Sequence, residues 1–277
     1  MEFSYYNAAV DLLERNLAPD RAGRIAFVDE GGSHTYAELA ERANRCANAL
    51  RALGIQAEQR VLLCLYDSID FSACFLGAIK AGIVPVPINT MWSASDYAYV
   101  LGDSRAKAVI ASGARLPVML EAMQMSGWTG EIIVAGDDAG GYPELAKLMA
   151  SASPSCETYP TRPDDTCFWL YSSGSTGRPK GAVHVQTSLA QTAEFYGQGV
   201  LGINASDVIY SAAKLFFAYG LGNALTFPIA AGATAILFAG RPKSPEVIRI
   251  LRDQRPTVFF AVPTLFSSLL ASPDLPR

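Results

Sequence analysis

Apolar positions along the chain follow two periods. Short runs such as Arg60-Val-Leu-Leu-Cys-Leu65, Ala108–Ala111 and Glu131–Val134 are continuously apolar or β-branched and predict buried strands. Longer amphipathic stretches lie between them: Ser68–Ala81 closed by Gly82, Ser95–Gly102, and Leu116–Met125. Strands alternating with helices imply βα units, hence an α/β fold on mostly parallel sheets. The spacing further predicts a helix over Tyr6–Asn16 and a hairpin of Ile25–Asp29 with Ser33–Tyr36. A helix follows, opened by the capping-box pattern Thr35-Tyr36-Ala37-Glu38 and running to Leu53. Ile83–Ile88 carries Pro85 and Pro87 and reads as an edge or irregular strand. Asp137–Gly141 and Ser151–Arg162 read as connectors. Later elements are a strand at Cys167–Tyr171, a helix at Gln186–Gly197, a strand at Asp207–Ser211, a helix at Pro245–Arg252 and a strand at Thr257–Ala261.

Leu215–Gly240 carries no charge and is long enough to span a bilayer. Gly220, Gly222, Asn223, Pro228 and Gly232 interrupt it, and no basic residues crowd its ends. A buried helix, a proline-containing break and a core strand at Thr234–Phe238 fit better than a membrane span. Composition agrees with burial: half the residues are apolar and 17% charged, which excludes a disordered chain. Lys and Arg total 22 against 26 acidic residues, with no basic cluster, so a nucleic-acid surface is not expected. Five widely spaced cysteines without a CxxC argue against a disulfide framework or a zinc site. With no secretory pattern at the N-terminus, a cytoplasmic protein is expected.

The chemistry concentrates in Tyr171-Ser-Ser-Gly-Ser-Thr-Gly-Arg-Pro-Lys-Gly181. Its glycines allow sharp turns and close backbone approach, its hydroxyls donate hydrogen bonds, and Arg178 and Lys180 bring positive charge. Together these make a polyphosphate cradle. The spacing is not that of a Walker A loop, which disfavours a nucleotide kinase or GTPase. The plain alternative is a Gly/Ser turn that only joins two strands.

The full string resembles the phosphate-binding signature of the adenylate-forming superfamily: acyl-CoA synthetases, nonribosomal adenylation domains and luciferases. The resemblance runs the length of the chain. The start at Thr35–Leu39, the segment Phe75–Asn89 and the strand end Phe260-Ala-Val-Pro-Thr264 look like further family signatures. It implies two flavodoxin-like α/β subdomains packed together, residues 1–55 with 185–277 forming the acyl-pocket layer and 56–184 the layer that ends in the loop. It also implies a carboxylate that attacks the α-phosphate of Mg-ATP, followed by displacement of AMP by a thiol, here coenzyme A. By the same resemblance Ser172, Ser173, Gly174, Ser175, Thr176, Gly177 and Lys180 would hold the β- and γ-phosphates. Lys180 and Thr176 would then be catalytic, with Thr176 also meeting Mg²⁺.

The acid is read from Lys214-Leu-Phe-Phe-Ala-Tyr-Gly-Leu-Gly-Asn223, which has no acidic residue. A substrate ammonium would lack a counter-charge there, so amino-acid activation is disfavoured. Flat aromatic rings suit a flat apolar acid. The string looks most like the benzoate–CoA ligase branch, 4-hydroxybenzoate ligases included, and by position Phe195, Phe217, Ala218, Tyr219 and Phe260 match that branch's acid pocket. Phe216 is expected in the core, His34 on the surface, and His184 in a structural or peripheral phosphate role; Lys214 has no assigned role. Short- or medium-chain fatty acids, a stand-alone adenylation domain and a non-catalytic aryl-acid-binding module stay open, as does a homodimer. The family's Tyr-Gly-x-Thr-Glu segment, ribose-binding aspartate and C-terminal lid domain with its lysine have no counterpart here. The expectation is therefore a piece of a longer enzyme, inactive by itself.

Overall fold

The computed structural model describes residues 4–136, 138–172 and 177–275. In chain order the elements are α1 (Ala8–Glu14), β1 (Ile25–Asp29), β2 (Gly32–Thr35), α2 (Tyr36–Ala52), β3 (Arg60–Cys64), α3 (Ile69–Lys80), β4 (Val84–Pro87) and α4 (Ala94–Ser104). There follow β5 (Ala108–Ser112), α5 (Leu116–Ser126), β6 (Glu131–Ala135), α6 (Leu145–Ser151), β7 (Thr166–Ser172), β8 (Lys180–Val185), α7 (Thr187–Thr192) and β9 (Val208–Ser211). The last are α8 (Ala218–Leu221), α9 (Phe227–Ala231), β10 (Thr234–Ile236), α10 (Ser244–Gln254), β11 (Val258–Phe260) and α11 (Pro263–Leu270).

The chain divides into two compact units. The first comprises Met1–Asp11, Glu38–Leu65 and Asp70–Ser188, and the second Leu12–Ala37, Tyr66–Ile69 and Leu189–Arg277. Each holds a parallel-rich sheet with helices around it, the α/β class expected from the pattern.

In the first unit a four-stranded parallel sheet runs β4-β3-β5-β6. In order of appearance this is 2-1-3-4, the flavodoxin-like order. Its strands are buried on both faces, which is why they read as continuous apolar runs rather than alternating ones. β4, with Pro85 and Pro87, takes an edge, where a missing N–H costs least. The core gathers Leu62, Val86, Tyr97, Val109, Met119 and Val134. α4 opens on a capping box in which the Ser93 side chain accepts from the Asp96 N–H, with the Asp96 carboxylate accepting in return.

Residues 1–11 and 38–55, expected with the later part of the chain, fall in the first unit, and residues 66–69 fall in the second. For residues 38–55 the reason is the polar edge of α2. Lys80 donates to Asn44 Oδ1 at 2.7 Å, Arg42 pairs with Asp70 at 2.7 Å, and Arg45 donates to the carbonyl of Ala152 at 2.6 Å. α2 is thereby tied to α3 and to the connector after α6.

The second unit carries a five-stranded sheet in the order β11-β9-β10-β1-β2. β1 pairs parallel to β10, with Phe27 opposite Ala235, so the early hairpin joins a sheet made from the later chain. Tyr210, Ile236, Val247, Ile248 and Leu269 form a core beside it.

Three local expectations need correction. The helix begun by α7 continues through a π-helical turn, Ala193–Gln198, rather than as regular helix. The segment 218–231 is helical throughout, with a second π turn at Gly222–Thr226. Pro228 causes no break, because it follows the π turn, where the regular helical hydrogen-bond ladder is already interrupted and can absorb a missing N–H. Finally, the phosphate-type loop leads into β8, antiparallel to β7, a strand the Gly- and Pro-rich composition concealed. Among the described residues no helix is long and apolar enough to cross a membrane.

Candidate functional site

The β7–β8 hairpin belongs to the first unit. Its last registered pair sets Ser172 opposite Lys180, so both residues stand at the mouth of the loop, and both are exposed. Gly177 has φ +85° with open space where a side chain would begin, a backbone free for a ligand to approach. Ser173, Gly174, Ser175 and Thr176 lie outside the described residues.

Aromatic packing holds the hairpin beneath that mouth. Tyr171 stands edge-on to Trp92, with ring centres 6.2 Å apart, and donates from its hydroxyl to Asp103 Oδ2 at 2.6 Å. The Arg178 guanidinium lies 5.2 Å from the centre of the Tyr99 ring. His184 stacks on Phe168 at 4.4 Å and 2°, and burial lowers its pKa. A neutral ring stacked in this way is a packing residue. The exposed Lys180 and Ser172 and the open Gly177 backbone suit a bound polyphosphate. Among the described residues no group of three or more His, Cys, Asp or Glu side chains is placed to hold a metal. The one residue assigned to Mg²⁺ by resemblance, Thr176, is not among them.

The segment Lys214–Asn223, from which the acid is read by resemblance, belongs to the second unit. Within its sheet β9 is flanked by β10 on one side and β11 on the other. The chain reverses direction of winding there, so the carboxyl ends of β9 and β11 bound a topological switch point, where open α/β sheets place ligands. The segment after β9 delivers Phe217, Ala218 and Tyr219, all exposed, and β11 ends at Phe260. The Ala212 N–H donates to the Phe260 carbonyl at 2.8 Å, holding the two strand ends together. Tyr219 meets Phe260 edge-to-face at 6.2 Å and 84°. Phe216 turns into the core, 3% exposed, while its neighbour Phe217 is 44% exposed. Phe195 sits on the first π turn, exposed, and no ring contact joins it to the Tyr219–Phe260 pair. Four of the five residues matched by resemblance to an acid pocket thus lie at these strand ends.

One residue differs from expectation, and another, left without a role, gains a partner. His34 is not a surface residue; it is mostly buried against Asp29 at 2.9 Å. Burial alone would raise the Asp29 pKa, but the N–H groups of Ile69 and Gly31, together with His34, hold it below the ordinary value. Lys214 is no solvated side chain. Its ammonium donates to the Phe238 carbonyl and lies 3.7 Å from Asp67 Oδ2, with both side chains largely buried. Asp67 escaped the sequence reading. No local signal marks it, because its partner lies far along the chain.

The AMP-binding enzyme family model matches residues 13–277. The chain belongs to that family. It is similar to a benzoate–CoA ligase of Thauera aromatica, 52% identical over 273 residues that make up 98% of this chain and 51% of that protein. A 4-hydroxybenzoate–CoA/benzoate–CoA ligase of Rhodopseudomonas palustris is 46% identical over 97% of this chain and 50% of its own length. The crystal structure of a benzoate CoA ligase from Burkholderia xenovorans superposes with a TM-score of 0.91 at 46% identity, covering 98% of this chain and 53% of that one. The chain therefore spans about half the length of the relatives it matches.

Proposed function

We propose that the full-length protein carrying this sequence activates an aromatic carboxylic acid of the benzoate or hydroxybenzoate type with ATP and transfers it to coenzyme A. The observation that carries this reading is the aromatic group of Phe217, Tyr219 and Phe260 at the switch point of the second sheet, with no acidic residue in Lys214–Asn223 to receive an amino acid. The similarity to aryl-acid CoA ligases supports it.

In the first step a carboxylate oxygen attacks the α-phosphorus of ATP and pyrophosphate leaves. In the second, the thiol of coenzyme A attacks the acyl carbon and AMP leaves. The acid is already ionised at neutral pH, so the first step needs no general base. Ser172, Gly177 and Lys180, with Ser173–Thr176, would stabilise charge on the leaving pyrophosphate, and Phe217, Ala218, Tyr219 and Phe260 would hold the ring. Phe195 joins them only by position. Mg²⁺, if carried with ATP, would neutralise phosphate charge. The cytoplasm, which holds both ATP and coenzyme A, is the compartment we propose.

The test is acid-dependent pyrophosphate release by the full-length enzyme with benzoate, 4-hydroxybenzoate, 2-aminobenzoate, hexanoate and phenylalanine, with and without coenzyme A. Turnover of the aryl acids into CoA thioesters is expected. Turnover of hexanoate or phenylalanine alone would overturn the aryl assignment and leave adenylation standing.

A further inference from the structure

The buried pair Asp67–Lys214 has no part in the chemistry above, yet it sits directly behind the acid-reading segment. Four contacts define it. Asp67 Oδ1 accepts from the Leu215 N–H at 3.2 Å, and Asp67 Oδ2 faces the Lys214 ammonium at 3.7 Å. That ammonium also donates to the carbonyl of Phe238, just beyond β10. The Lys214 carbonyl accepts from the Phe217 N–H at 3.0 Å. Gly220 completes the turn: a Cβ there would stand 2.0 Å from the Lys214 carbonyl oxygen, so only glycine lets α8 close onto this residue. Residues 214–217 are thus fixed at both backbone and side chain, and the first residue they release outward is Phe217.

Burying two charges is expensive, and a well-packed apolar pair of similar volume often stabilises a fold as well or better. A generic tie is therefore a poor reason for the pair. A carboxylate does offer something an apolar residue lacks: it grips the Leu215 N–H and the Lys214 ammonium at once, which sets the direction in which the next residues leave.

We propose that Asp67 and Lys214 are positioning residues that aim Phe217, Ala218 and Tyr219 at the acid, and so set the preference for aryl over aliphatic acids. This rests on the aryl-acid reading above. Neither residue touches the substrate; both act through the backbone of residues 214–217.

The experiment uses the full-length enzyme and measures kcat and KM for benzoate, hexanoate and ATP. Asp67→Asn keeps an acceptor for Leu215 and removes the charge. It is expected to raise the benzoate KM about tenfold, leave the ATP KM within about twofold, and lower the benzoate-to-hexanoate ratio of kcat/KM. A folded Asp67→Asn enzyme with unchanged benzoate KM and ratio overturns the proposal. Should that variant not fold, the double variant Asp67→Asn with Lys214→Met removes the stranded ammonium. A folded double variant with a raised benzoate KM upholds the proposal, and one with the wild-type KM overturns it.

The wild-type pH profile decides without any variant. Burial pushes the Asp67 pKa up to about 6, against the pull of Lys214; the other titratable groups facing it are the Glu30 carboxylate and the neutral Tyr210 phenol. The benzoate KM should climb as pH falls from 7 to 5, while the acid itself, with an ordinary pKa near about 4, stays ionised. A benzoate KM that is flat, or that moves only in step with the ATP KM, contradicts the positioning role. If wild-type enzyme turns over no aryl acid at all, the functional reading fails first, and the two failures stay distinct.

Discussion

The hairpin that carries the phosphate-type loop and the segment proposed to read the acid are built in opposite ways. The hairpin leaves Ser172, Gly177 and Lys180 exposed and places its packing beneath them, in Tyr171 against Trp92 and His184 against Phe168. The acid segment holds its backbone from behind through Asp67, Lys214 and the Phe238 carbonyl, and presents side chains. Each arrangement suits the ligand proposed for it. Phosphate is recognised by backbone N–H groups, hydroxyls and a cation, which need access more than shape. An apolar ring is recognised by the shape of a wall, which is only as good as the direction of its side chains.

If that contrast is right, damage to the two regions should look different. The largest effect belongs to Lys180→Ala. Removing one charged donor to the leaving pyrophosphate should slow acid-dependent pyrophosphate release about 100-fold with little change in acid KM. An unchanged rate in stopped-flow pyrophosphate assays would take Lys180 out of the reaction. Next comes Phe217→Ala, expected to cost about tenfold in kcat/KM for benzoate, with the loss in KM. Wild-type kinetics would remove that ring from the pocket.

A smaller effect is thermodynamic. Asp67 has its folded pKa raised above the unfolded value of 3.8, to about 6. Its favourable contribution is therefore complete below pH about 4 and is lost as pH rises to about 6. Asp67→Asn does not titrate, so its stability relative to wild type should improve by more than about 1 kcal/mol between pH 4 and 7, read by urea denaturation at each pH. A constant difference would mean that burial does not raise the Asp67 pKa in the folded state. The smallest effect is expected from Tyr171→Phe, which loses one hydrogen bond to Asp103 beneath the loop. About 1 kcal/mol of stability should go, with the acid KM untouched. A shifted acid KM would show that the hairpin also reaches the acid.

The same contrast governs what the sequence made legible. Strands β3, β5 and β6 showed themselves as apolar runs because parallel strands are buried on both faces. The loop was legible because glycine, hydroxyl and lysine in that density have few other uses. The aromatic segment was legible only as composition, and the reading separated Phe216 from Phe217 by their adjacency alone; burial then bore it out. Asp67 and β8 were not legible. The carboxylate is 147 residues from Lys214, and nothing local marks it as a partner. β8 begins in a loop rich in Gly and Pro, and its strand character comes from pairing with β7 rather than from its own propensity. Residues 38–55 misled for a similar reason: the polar contacts of α2 with α3 and the 152–157 connector are all made at long range.

The most direct test compares the two regions in one enzyme. Benzoate and hexanoate would compete for Lys180→Ala, Phe217→Ala and wild-type full-length protein, with the two acyl-CoA products quantified by mass spectrometry. Lys180→Ala should form both thioesters slowly in the wild-type ratio, and Phe217→Ala should move the ratio towards hexanoyl-CoA. A ratio altered by Lys180→Ala, or preserved in Phe217→Ala, would contradict the division of labour between the loop and the aromatic segment.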